Sequence, residues 1–187
     1  MTLVLLTLLC ATEGEVVTQL EEPAREYADG SVSILGSASL GVGLFSAPQA
    51  GSAFSTVTLF GGIAVRWVSK LGLTFEPRLG IDALLATGGA GLYAVFAVRA
   101  GLGVGWAFRL TPRLALTPML AYEAQLVGGG VSGGLNGLMN TGALELPLTV
   151  FFSRNGFVEV YLRGGVSTLL GSLVPTFAAG YRFGMVW

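Results

Sequence analysis

Period-two alternation, sustained well beyond ordinary strand length, is the feature that most restricts this chain. Val32, Ile34, Gly36, Ala38, Leu40, Val42 and Leu44 occupy the even positions, while Ser33, Leu35, Ser37, Ser39, Gly41 and Gly43 lie between them. Successive strand side chains point to opposite faces, so the pattern writes a strand with one apolar face and one small or polar face. At about fourteen residues it is far longer than a typical globular strand. Seven further segments repeat it, over 56–67, 73–85, 92–109, 114–125, 141–152, 158–167 and 176–187.

Charge sorts with the same period. Arg66, Glu76, Arg78, Asp82, Arg99, Arg109, Glu123, Glu145, Glu159, Arg163 and Arg182 all fall on the face opposite the apolar one. A bundle of membrane helices would not sort its charges by a period of two. The mean hydropathy of +0.72 suggests a membrane protein. The 29 glycines argue against ordinary helices, because each helical Gly costs about 1 kcal/mol relative to Ala. In hydrocarbon the backbone must pair internally, so strands can span only as a closed barrel. The expected fold is therefore all-β: a membrane-spanning antiparallel up-and-down barrel of eight strands over residues 31–187.

The connections fit an outer-membrane arrangement. "VSKLG", "LTPR" and "SRNG" read as tight turns, with Asn155-Gly156 as a favoured hairpin pair. They alternate with looser links, "SAPQAGSA", "TGGAG", "VGGGVSGGLNG" and "LLGSLVP". Placing the short turns in the periplasm puts both termini there. Each short turn carries one base, Lys70, Arg113 or Arg154, and the looser links carry no charge. Trp67, Phe75, Trp106, Phe108 and Phe152 then gather at that level with Phe183 and Trp187, as an aromatic girdle where rings meet lipid headgroups. Pro77, Pro118 and Pro147 cannot donate to a ladder, and bulges near the rim are expected to accommodate them.

The first thirty residues differ from the rest. Residues 1–11 read as an export signal, since the run Leu3–Ala11 is too short to span a bilayer. Cys10 is a candidate lipidation site. Residues 12–30 hold Glu13, Glu15, Glu21, Glu22, Glu26 and Asp29 against Arg25 alone, and read as an acidic periplasmic linker.

The eight-strand layout and the alternating aromatic end, Tyr181, Phe183, Met185 and Trp187, resemble small bacterial outer-membrane barrels of the OmpA/OmpX type. The resemblance covers residues 31–187 and rests on pattern. It implies a bacterial outer-membrane location and recognition of those four residues by the barrel-insertion machinery. The links here are shorter and less polar than those of adhesin-like members, which argues against a receptor role.

Function classes narrow by elimination. A net charge of −1 points to no nucleic acid. Without histidine, Ser-His and Asp-His catalysis cannot be built. A single cysteine leaves no Cys/His metal site, and no cofactor motif stands out. "GGGVSG" (128–133) matches a dinucleotide fingerprint in letters only, because no helix or suitably placed acid follows. An eight-stranded barrel is just wide enough for side chains to fill. The eleven inward charges, sharing space with Phe60, Tyr93 and Tyr161, are read as a salt-bridged plug, with Gly101, Gly103 and Gly105 making room for arginines. The expectation is a non-enzymatic envelope element or docking subunit in contact with outer-membrane lipid and with an envelope protein as a further partner. A narrow or side-opening transporter, and an accessory subunit of a larger envelope machine, are the alternatives.

Overall fold

The structure is a computed structural model that describes residues 31–47, 52–88, 91–128, 137–169 and 172–187. The export signal, Cys10 and the acidic linker lie outside these residues.

Ten strand segments form one sheet: β1 (Ser31–Ala47), β2 (Ser52–Val68), β3 (Leu73–Gly88), β4 (Gly91–Trp106), β5 (Phe108–Thr111), β6 (Leu114–Leu116), β7 (Met119–Gly128), β8 (Gly137–Phe151), β9 (Gly156–Leu169) and β10 (Ser172–Val186). Segments β5 and β6 continue β4 and β7 past a break at Ala107 and Thr117–Pro118, so the segments make eight antiparallel staves. Each stave pairs with its sequence neighbour, and β1 pairs with β10 from Ser33↔Val186 to Gly43↔Thr176, which closes the barrel. With both edges paired, no row of unsatisfied backbone groups remains at the seam.

Register fixes the tilt. Stepping from partner to partner leads from Ser31 to Val68, Thr74, Gly105, Met119, Glu145, Arg163, Ala178 and back to β1 at Gly41. The circuit returns ten residues higher (41 − 31) on its starting strand. With strands about 4.8 Å apart and a rise of about 3.3 Å per residue, this stagger tilts the staves by about 40°.

The prolines create no bulge. Pro77 pairs with Leu102 and Pro147 with Tyr161 in unshifted ladders. Around Pro118 the ladder breaks but the register does not, since Phe108↔Leu116 and Gly105↔Met119 share one alignment. Neighbouring donors use the proline carbonyls instead: Trp106 N–H donates to Pro118 O at 3.1 Å and Thr117 N–H to Pro147 O at 3.0 Å. The one register shift in the described sheet lies between Arg109 and Thr111.

The expected contrast in loop length is much reduced. Glycine and serine runs read as loops carry ladder pairs instead, such as Gly88↔Gly91 and Ser172↔Leu169. Only 48–51, 89–90, 129–136 and 170–171 lie between strands at that end. At the other end, the turn, Gly72 has a φ of 91°, a conformation that suits glycine. Its N–H donates to Ser69 O at 2.9 Å. Asn155-Gly156 does not form a two-residue hairpin turn. The Phe151↔Phe157 pair closes a longer link, and Gly156 N–H donates to Ser153 Oγ at 2.8 Å.

Alternation becomes a wall with two chemistries. Apolar side chains on every stave face outward and exposed, among them Ile34, Ile63, Leu79, Val98, Leu120, Leu144, Leu162 and Phe183. No described helix is long and apolar enough to cross a membrane. The exposed apolar surface belongs to strands.

Candidate functional site: the buried charge network

The barrel interior is layered. Toward the turn end, Phe151, Phe157, Ala115 and Val186 pack with Leu35 and Ala64 as a buried apolar cluster. The Phe151 and Phe157 rings are 5.5 Å apart, tilted at 55°. Toward the opposite end Ala97, Val127 and Met139 form a smaller cluster. The charges lie between them.

Arg66 on β2 joins two carboxylates. Its Nε donates to Glu76 Oε2 at 2.7 Å, and its two terminal nitrogens donate to Glu159 at 2.7 and 3.1 Å. Glu159 also accepts from Thr149 Oγ1 at 3.0 Å and from Arg182 NH1 at 2.7 Å. The other terminal nitrogen of Arg182 donates to Glu145 Oε2 at 2.8 Å. Glu145 accepts from Arg78 NH1 at 2.6 Å on its second oxygen. Arg78 Nε lies 2.8 Å from Glu76 Oε1, an ionic contact whose angles do not make a hydrogen bond.

A second lobe centres on Glu123. Arg99 NH1 and Arg163 NH2 each lie 2.7 Å from its Oε2, and Arg78 lies 3.5 Å from its Oε1. Arg99 also reaches Asp82 at 3.2 Å. Neither Asp82 oxygen accepts a hydrogen bond from the described residues, so Asp82 is the loosest member. Two guanidiniums are capped by rings: Arg99 lies 3.5 Å from the Phe60 centroid, and Arg182 lies 4.2 Å from that of Tyr161.

Ten of the eleven inward charges expected from sequence meet in this one connected network. Arg109 does not. It follows the break at Ala107, lies in the short rim segment β5, and is exposed, with Nε 3.4 Å from Thr111 O. Parity alone put it on the inner face, but here the wall has ended. Its departure leaves Arg66, Arg78, Arg99, Arg163 and Arg182 against Glu76, Asp82, Glu123, Glu145 and Glu159: five cations and five anions. Burying charge is tolerable only when it is paired and hydrogen-bonded, and the balance meets that condition.

Glycines shape the space differently from expectation. A Cβ at Gly103 would meet Arg78 NH2 at 2.8 Å, so Gly103 does admit an arginine. Gly101 instead makes room for Glu123, and Gly105 for Met119 and the Pro118 carbonyl. A cavity beside Ser37, Tyr161 and Arg163 measures about 10 Å³, room for about one water molecule.

Trp67, Phe75, Trp106 and Phe108 face outward and exposed on the staves near the turn end, and Phe152 is exposed in the link just after β8. Trp67 pairs with Phe75, and Trp187 N–H donates to Val32 O at 3.0 Å. Tyr181, Phe183, Met185 and Trp187 lie along the outer face of the closing strand, with the Tyr181 and Phe183 rings 5.5 Å apart. The apolar stopper formed by Phe151 and Phe157 was not singled out from sequence. Its signal was two aromatic residues on the polar-face parity beside a turn.

No protein-family model matches the chain, and no curated protein matches it significantly. Among solved structures, a de novo designed transmembrane β-barrel aligns at 12% identity with a TM-score of 0.39, covering 88% of this chain and 98% of that one. The Yersinia pestis outer membrane protein Ail, determined in a phospholipid bilayer nanodisc, aligns at 12% identity with a TM-score of 0.42, covering 85% and 100%. The β-domain of the Bordetella autotransporter BrkA aligns at 16% identity with a TM-score of 0.33, covering 82% and 98%. These likenesses are remote, and the closed sheet stands on its own strand pairing.

Proposed function

We propose that this protein is a non-enzymatic bacterial outer-membrane barrel, serving as an envelope structural element or docking subunit with a closed lumen. Support for the membrane location comes from the continuous exposed apolar wall, which water would not tolerate at this extent and lipid would. In this reading the turns and both termini face the periplasm. The outward residues Tyr181, Phe183, Met185 and Trp187 are read by the insertion machinery, and lipid and an envelope protein are the partners.

One observation carries the closed-lumen reading: five guanidiniums and five carboxylates meet in one ion-paired network across the waist of the barrel, and the cavity beside Ser37, Tyr161 and Arg163 measures only about 10 Å³. The carboxylates are held by arginines rather than aimed at a substrate-sized space, which favours a structural role over acid–base chemistry. Planar-bilayer recording tests it. The purified barrel should conduct poorly, with rare small openings at most. A stable, large, ion-selective conductance, or sugar uptake into liposomes, would overturn the reading in favour of transport.

A side-opening route for apolar solutes has one observation behind it. At Gly36, Gly61 and Gly142 a Cβ would meet nothing within 4 Å, so each leaves a notch in the outer wall. At Gly164 a Cβ would instead meet the Phe177 ring at 3.6 Å. Passage of apolar dyes without ion conductance would select this route. Co-purification after mild solubilisation tests the accessory-subunit alternative.

A further inference from the structure

The internal neutrality has an external counterpart. With ten charges drawn into the internal network, the exposed charged side chains among the described residues are Lys70, Arg109, Arg113 and Arg154. All four are cations, and all four lie at the turn end. Lys70 is in the β2–β3 turn, Arg113 in the β5–β6 turn, Arg154 in the β8–β9 turn and Arg109 in the rim segment β5. They are spread around the rim rather than stacked on one stave. The opposite end is uncharged in sequence: 32–65, 83–98, 124–144 and 164–181 contain no Asp, Glu, Lys or Arg. Among the described residues the barrel therefore presents one cationic pole and one neutral pole, and the acidic segment 12–30 precedes β1 at the cationic end.

The cationic pole lies beside the outward aromatics. Trp67 lies one residue before the end of β2 and the turn of Lys70, Trp106 and Phe108 flank the break before Arg109, and Phe152 shares the β8–β9 link with Arg154. Indole rings settle at the headgroup level of a bilayer, and bases one step beyond them stand at the depth of the lipid phosphates. We propose that this rim is a binding surface for anionic phospholipid headgroups, a ring of four cations that enriches acidic lipid around one end of the barrel. The inference rests on the membrane location proposed above. Attraction of a base to an anionic membrane surface corresponds to roughly a fivefold preference per contact at physiological ionic strength, and salt weakens it.

The three tryptophans of the chain, Trp67, Trp106 and Trp187, supply the test, because all are exposed at this rim. The full chain is reconstituted in phosphatidylcholine vesicles carrying an equal mole fraction of brominated phosphatidylglycerol or brominated phosphatidylcholine. Quenching of tryptophan emission reports which lipid is adjacent. The expected result is stronger quenching by the glycerol lipid, by about twofold to fivefold in apparent association. The preference should fall toward unity in molar salt and in the K70Q/R109Q/R113Q/R154Q variant. Equal quenching by the two lipids in the wild type overturns the headgroup site while leaving the membrane reading intact. No quenching by either lipid overturns the membrane reading itself. The acidic segment 12–30 is the rival occupant of the rim: a preference that appears only after its removal would assign the surface to that segment instead. Salt dependence in the wild type keeps the test decisive should the fourfold variant fail to fold.

Discussion

Arg78 and Glu145, 67 positions apart in sequence, meet across the lumen at 2.6 Å, and both are almost wholly shielded from solvent. Arg78 also touches Glu76 and Glu123. Replacing Arg78 by Leu leaves the network with one carboxylate too many. The expected loss is about 3–5 kcal/mol, read from urea unfolding in reconstituted lipid. Glu145→Gln in the R78L background should recover part of it. An R78L variant as stable as wild type would mean that the lumen is wet.

The stopper at the turn end should matter for both stability and leakage. Phe157 is fully buried against Phe151, and a Cβ at Gly184 would enter its ring. Phe157→Ala is expected to cost about 3–5 kcal/mol and to raise the frequency of small openings in planar bilayers. Gly184→Val should destabilise through the same contact, by displacing the ring rather than removing it.

Neutralising Arg99 removes the ion partner of Asp82 and one of the partners of Glu123. The Phe60 ring loses its cation as well. Arg99→Gln should therefore loosen the lobe centred on Glu123. Single-channel traces should show more frequent or larger openings than wild type, and Glu145→Gln should do the same by freeing Arg78 and Arg182. Identical traces for all three proteins would place any conducting path outside the network.

The closing strand separates two roles. Deleting 181–187 removes the residues of β10 that pair with β1 between Ser33 and Ala38, so barrel closure is lost along with the aromatics. That protein should not show heat-modifiable gel migration. Phe183→Ala and Trp187→Ala keep the ladder. Each should fold in detergent yet accumulate less in the outer membrane of cells, if the aromatic row is an insertion signal. Wild-type amounts in cells would reduce these side chains to lipid contact.

Sequence revealed the faces of the strands but not their levels. A period of two tells which side of the wall Arg66 or Glu159 occupies, because the pleat enforces it locally. It does not tell that Arg66 meets Glu159 from 93 positions away, since that depends on the ten-residue stagger around the closed sheet. Arg109 shows the same gap: its parity matches the lumen, but it sits where the lumen has ended. The glycine- and serine-rich segments misled in the other direction. Their composition resembles loops, while Gly88↔Gly91 and Ser172↔Leu169 show them completing hairpins. Neighbours across the sheet, which no local pattern displays, decide those residues.

Arg182 is the last of the ten network charges in chain order, and it touches Glu76, Glu145 and Glu159, on three different strands, at 3.6, 2.8 and 2.7 Å. Before it arrives, four guanidiniums face five carboxylates. A nascent barrel missing β10 thus has both an open seam and an interior one positive charge short, and the same strand remedies both. Sealing the sheet and neutralising its centre are then a single event, so a truncated product differs from a finished one in its electrostatics as well as its shape.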